Sequence, residues 1–144
     1  MIQVAALTSG RTTPSSRFRI RQHIAPLRET GIEIKEYVPA VEKYAPVPIP
    51  VYGHHNTVLL PTKAVWSCVK LAAQIPGLLY SWSACITWLE RSIVPGLVTF
   101  EFMLRHPIVL DVDDAIWMAY PFGRQAMKNL AKTTDLILAG NQYI

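Results

Sequence analysis

Charge is scarce in this chain. Asp, Glu, Lys and Arg make up only 17% of its 144 residues, against about 25% in an average soluble domain, while apolar residues reach 51%. The length is that of one domain with a real core, and part of so much apolar surface is expected to face a partner. Cysteine is nearly missing. Cys68 and Cys85 form neither a Cys-x-x-Cys pair nor a disulfide framework, so a reducing compartment and buried free thiols are expected. No basic n-region, apolar h-region and small-residue cleavage site opens the chain, because Met1-Ile-Gln-Val runs straight into a polar loop at Thr8; secretion is not expected. The only stretch of membrane length, Leu71 to Leu89, is uncharged but broken by Pro76-Gly77 and diluted by Gln74, Ser81, Ser83 and Thr87. It reads as buried helix plus strand. Nucleic-acid signatures, repeats of solenoid length and low-complexity segments do not stand out. Ser15 and Ser16 have no Gly-x-Ser-x-Gly context, which argues against a hydrolase nucleophile. The His54-His55 pair has no Cys or carboxylate at ligand spacing, so zinc is not expected there.

What the chain does have is an arginine-rich segment, Thr13 to Arg28, following the short apolar run Ile2 to Leu7. Ile20, Ile24 and Leu27 recur at helical spacing, while Arg17, Arg19, Arg21 and Arg28 take other directions. Pro14 stiffens the approach, and Ser15 and Ser16 read as caps of the first turn. The unit is strand, loop, helix. In an open α/β sheet such a loop lies over the ligand crevice, and a helix N-terminus there attracts anions. Arg17 and Arg19 make phosphate or another anion the natural guest. Alternatively, these arginines are the solvated face of a helix, or they pair with acids at neighbouring strand ends. The overall excess of 14 basic over 10 acidic side chains, +4, suits an anionic ligand or membrane surface without requiring nucleic acid.

Gly31 is placed as the helix stop, and Ile32 to Tyr37 alternates as a second strand, giving a βαβ unit. Val38 to Pro61 carries prolines at 39, 46, 48, 50 and 61 and reads as a long loop. Thr62 is expected to cap a helix in which Val65, Val69 and Ala72, or else Trp66, Val69 and Ala73, recur at helical spacing while Lys63 and Lys70 point elsewhere, and Pro76-Gly77 to end it. A short helical turn over Leu78 to Ser83 and a strand over Ala84 to Leu89, with Glu90-Arg91 at its carboxyl end, come next. Pro95-Gly96 is read as starting a helix through Arg105. Ile108 to Val112 is the clearest strand, Gly123 to Lys132 a basic helix, and Asp135 to Ala139 a last strand. The alternation predicts an α/β fold with a doubly wound parallel sheet, Rossmann-like, in a single domain over residues 1–144.

Three phrases in this order carry a family resemblance: Ser15-Ser-Arg-Phe-Arg19 with Gln22; Trp88-Leu-Glu-Arg91; and Ile108-Val-Leu-Asp-Val-Asp-Asp-Ala-Ile-Trp117 followed by Asp135-Leu-Ile-Leu-Ala-Gly-Asn141. Together they resemble the N-terminal, acceptor-side domain of bacterial GT-B glycosyltransferases of the group-1, RfaG-like type, over essentially the whole chain. The resemblance implies a Rossmann-like half of a two-domain enzyme of cell-envelope biosynthesis. Such an enzyme moves a sugar from a nucleotide-sugar, held mainly by the other domain, to a glycan or lipid-linked acceptor, with no cofactor. The donor-gripping Glu-x7-Glu half is not in this sequence, so the chain is expected to be a truncated, acceptor-binding half that is inactive alone. Residence in the cytoplasm or at the inner face of a membrane, with peripheral membrane association and no nucleic-acid partner, goes with that expectation. One departure is the Thr8 to Thr13 loop, which has only Gly10 where relatives are richer in glycine.

Within this frame the candidate substrate- or anion-binding residues are Ser15, Ser16, Arg17, Arg19, Arg91, Asp113, Asp114 and Trp117; no catalytic residue is assigned. The arginines offer bidentate contacts to phosphate or carboxylate, or form an ion-pair network with Glu90, Asp113 and Asp114. Asp111, Asp113 and Asp114 have the spacing of a divalent-cation site. Asp111 nevertheless lies inside an apolar strand and reads better as paired with an Arg or a backbone N–H, and Asp113 and Asp114 as structural or acceptor-contacting. Trp117, with Tyr120, is core or edge, or else a sugar-stacking or lipid-facing platform. The other function class left open is a stand-alone flavodoxin-like module that binds a phosphate-bearing ligand or a protein; a nonfunctional remnant with an exposed apolar face is the third.

Overall fold

Along β1 (Ile2–Leu7), Val4 and Ala6 turn to one side of the sheet and Leu7 to the other. Successive side chains of a strand leave opposite faces, so a strand covered on both sides must be apolar throughout. In this computed structural model, which describes residues 1–48 and 56–140, β1 pairs in parallel with β2 (Ile32–Tyr37) and β3 (Ile86–Glu90). β4 (Ile108–Val112) and β5 (Leu136–Ala139) extend the same sheet, in the order β2-β1-β3-β4-β5, all parallel. The expected α/β, Rossmann-like sheet is therefore the observed one. The chain reverses direction of travel between β1 and β3. That is the topological switch point, where open sheets of this kind place their ligands.

Helix α1 (residues 14–29) is three consecutive segments: α-helical Pro14–Ser16, π-helical Arg17–Arg21 and α-helical Gln22–Glu29. Its apolar stripe of Ile20, Ile24 and Leu27 packs on Val4, Ala6 and Ile34, each fully buried aliphatic side chain being worth about 1.5–3 kcal/mol. Gly31 ends the unit at φ 87°, its N–H bonded to the Arg28 carbonyl. The opposite face carries α2 (Asn56–Ala72), α3 (Ile75–Ser81) and α4 (Gly123–Thr133). Leu71, Leu78 and Leu130 from these helices close on Leu7, Leu89 and Leu110. On the α1 face, Ile86 and Trp88 pack at the edge of the α1 cluster, and with Leu27, Val109 and Leu138 they line an apolar groove of about 200 Å³ that no helix covers among the described residues. Among the described residues no helix is long and apolar enough to cross a membrane.

Several local expectations are corrected. Helix α2 starts at Asn56 rather than at a Thr62 cap and runs through Pro61, which forfeits one ladder hydrogen bond without stopping it. Val65 and Val69 face outward, and Lys70 turns inward to donate to the Lys43 carbonyl at 2.7 Å. Pro76 and Gly77 lie inside α3, in its first turn. Gly77 is there because Tyr37 packs onto it: an added Cβ would lie 2.6 Å from the Tyr37 ring. No α-helix forms over 95–105. Gly96 adopts φ 75°, its carbonyl takes the Phe122 N–H at 2.9 Å, and only a 3-10 turn, Glu101–Met103, remains. Both cysteines are exposed, not buried: Cys68 is on the outer side of α2 and Cys85 just before β3. His54, His55 and Asn141 lie outside the described residues.

Candidate functional site

The carboxyl ends of β1, β3 and β4 bring together what the sequence keeps far apart. Glu90 closes β3 opposite Asp111 of β4 and is fully buried. A buried carboxylate must be met by donors, and Glu90 receives three: the Ser9 N–H at 3.0 Å and the hydroxyls of Ser15 and Ser16, the latter at 2.6 Å. Ser15 and Ser16 are thus no helix caps. The residue at the start of α1 is Thr13, and no side chain caps there.

Above this knot lies a lattice of charge. Arg19 pairs with Asp111 and, at 2.9 Å, with Asp113. Arg91 pairs with Asp113 at 2.9 Å and Asp114 at 2.6 Å, and donates to the Tyr44 hydroxyl at 2.9 Å. The π-helical turn aims Arg19 at these acids while its neighbour Ile20 is buried against the sheet; an extra residue in one turn re-aims the side chains around it. Arg91 sits in the left-handed region at φ 60°, a conformation that costs a non-glycine residue on the order of 1 kcal/mol and turns up at functional sites. Burial works against the charge of both partners, but the Tyr44 and Asp113 contacts raise the Arg91 pKa, and Arg91 and Arg19 hold the Asp113 carboxyl below its ordinary value. Among the described residues two guanidinium groups face three carboxyl groups. Arg17 stands apart, exposed and lying over the Phe18 ring at 5.8 Å, with no ion pair among the described residues.

The segment after β2 straps this region. Glu42 accepts from the Arg11 and Thr12 N–H groups at 2.9 and 3.1 Å. Lys43 is buried, its Nζ donating to the Glu90 carbonyl at 2.6 Å, and burial brings its pKa down to about 8. The Trp66 indole holds the Ala45 carbonyl at 3.1 Å. Beside the strap, Tyr44, Arg91, Ser92, Asp114 and Ile116 bound a hollow of about 340 Å³. Trp117 is half-buried and begins a second hollow of about 670 Å³, which runs to Gln125.

The sequence-predicted residues therefore converge, apart from Arg17 and, one step along the loop, Trp117. Glu90 and Lys43 were missed as site residues. A charge closing an apolar strand was the available signal for Glu90; nothing local marks Lys43. Among the described residues no group of three His, Cys, Asp or Glu side chains is placed to hold a metal ion. No family model, curated protein or solved structure matches the chain.

Proposed function

We propose that these strand ends form the acceptor wall of a glycosyl-transfer site whose donor-binding half is a second domain. The observation that carries this reading is the meeting of Ser15-Ser16, Glu90-Arg91 and Asp113-Asp114 at one switch point beside an open hollow. Asp114 is the most exposed acid of the lattice, its side chain 57% accessible, and it accepts hydrogen bonds from sugar hydroxyls. The Tyr44 hydroxyl and the Trp117 ring supply a polar contact and a stacking surface nearby. Donor phosphate stabilisation, the larger part of such catalysis, falls to the other domain, so this chain binds acceptor and does not transfer sugar alone. The test is calorimetric titration of the 144-residue chain with neutral oligosaccharides, with a mass assay for transfer from nucleotide-sugars. Glycan binding without transfer supports the reading; transfer by this chain alone, or no glycan binding, overturns it.

A second reading draws on the strand order, which is that of flavodoxin-like modules that hold a phosphate-bearing ligand at the β1/β3 switch point. Arg17, exposed and with no ion pair among the described residues, is the cation at the first helix that this reading would use. The engagement of Arg19 and Arg91 by aspartates disfavours it, and tight binding of a nucleotide with indifference to glycans would establish it.

A further inference from the structure

We infer that the chain forms a two-fold dimer in which β5 pairs antiparallel with β5 of a second copy, joining the two sheets into one. Among the described residues the edges of the sheet are β2 and β5, and they are unlike. An edge strand presents unpaired N–H and C=O groups along one side, and proteins commonly keep it from pairing by placing charge on it. On β2 that guard is present: Glu33, Lys35 and Glu36 interrupt the apolar residues, and Lys35 is exposed. β5 has none. Its four residues are Leu-Ile-Leu-Ala, all exposed, with Leu136 at 53%, Ile137 at 39% and Leu138 at 41%. Open backbone groups fit a strand, and apolar side chains on both faces fit an apolar one.

Symmetry selects a second copy. Pairing of β5 with the β2 edge of another molecule would repeat head to tail without closing, and would set apolar residues against the charges of β2. β5 against β5 closes around a two-fold axis normal to the sheet. With that axis at Ile137, Ile137 meets its own copy, Leu136 lies opposite Leu138 of the second copy, and Asp135 lies opposite its Ala139. Apolar side chains then meet each other and no charge opposes a charge. Leu136 and Leu138 share a face, and Leu138 already lines the uncovered groove with Trp88 and Val109, so Leu136 of the second copy extends its wall. Four residues make a short seam, and the association is a weak one, in the micromolar range. Because the paired strands run in opposite directions, the carboxyl-end crevices of the two copies lie at opposite ends of the joint sheet and stay open. The dimer requires no sugar binding, so it stands or falls apart from the reading above.

The test is sedimentation velocity of the 144-residue chain over a series of concentrations, with amide hydrogen exchange at the two ends of the series. The mass is expected to rise from that of one chain, 16.2 kDa, to twice that value and no further. The β5 amides that point away from β4 should exchange at least about tenfold more slowly in the dimer. Leu136→Lys, at the most exposed of the three large side chains, should weaken dimerisation at least about tenfold with circular dichroism unchanged. Leu138→Lys, at the opposing position, should do the same. Val65→Lys, on the exposed outer side of α2, should leave dimerisation as it is. A single-chain mass at every concentration, growth beyond two chains, a dimer that survives both β5 replacements, or one that Val65→Lys also abolishes overturns the proposal. So does a dimer whose concentration-dependent protection spares β5.

Discussion

The two polar layers at the strand ends differ in what they leave free. In the lower one, Glu90 is sealed from water and each carboxylate oxygen is occupied by hydrogen bonds from Ser9, Ser15 and Ser16. In the upper one, Arg19 and Arg91 share three aspartates, and the outermost, Asp114, keeps more than half its side chain in solvent. Ser15 and Ser16 are ligand-binding candidates in the sequence, but here, through Glu90, they tie the β1 loop to β3. Burial decides which role a polar residue can play: the sealed layer contributes stability, and the open one leaves Asp114 accessible to solvent.

The largest expected effect is in the sealed layer. Glu90→Ala strands the Ser9 N–H and two hydroxyls and takes the nearby negative charge from the buried Lys43, whose bond to the backbone carbonyl of residue 90 stays, and should cost about 3–5 kcal/mol in urea unfolding; a loss below about 1 kcal/mol would erase the distinction between the layers. Arg19→Ala leaves Asp111, itself buried, without its cation, and should cost about 1–3 kcal/mol. Lys43 sharpens the contrast through pH. Its folded pKa of about 8 lies below the ordinary 10.5, so below pH 8 both states are protonated and the folded one bears the cost of burying the charge. Between about pH 8 and 10.5 the unfolded chain binds more protons, and stability rises with pH. The unfolding free energy of the parent chain relative to Lys43→Met should therefore shift in the parent's favour across that window; a constant difference would mean that Lys43 is not sealed. The smallest effect on stability belongs to the open layer. Asp114→Asn should change it by less than about 1 kcal/mol while weakening acceptor binding severalfold.

Much of the fold was legible. The apolar run of β1, the alternation of β2, the run before Asp111 in β4 and the stop at Gly31 are local signals, and the elements fall where those signals lie. The misreadings have a common cause in long-range contacts. Ser15 and Ser16 bind a carboxylate 75 and 74 positions away, which overrides the capping preference of their neighbourhood. Lys43 lies in a proline-rich stretch that reads as solvated loop, yet Ser9, Glu90 and Lys70 draw it in through backbone and carbonyl contacts. The stretch 95–105 has a helical pattern, but Gly96 is committed to the loop at 119–122. At the site, residue types predicted the neighbourhood, while the partnering of Arg19 and Arg91 with aspartates rather than a free anion depended on a register that only the sheet sets.

The claim beneath this account is that the open layer recognises a neutral, hydroxyl-rich acceptor. The most direct measurement is a nuclear magnetic resonance titration of the backbone amides with a neutral oligosaccharide and, separately, with a nucleoside diphosphate. The account predicts that the oligosaccharide moves Tyr44, Arg91, Asp114 and Trp117, that Asp114→Asn weakens this response, and that the diphosphate leaves them still. A response to the diphosphate at these four residues, or an oligosaccharide response confined to Ile86, Trp88 and Val109 on the bare sheet face, would contradict it.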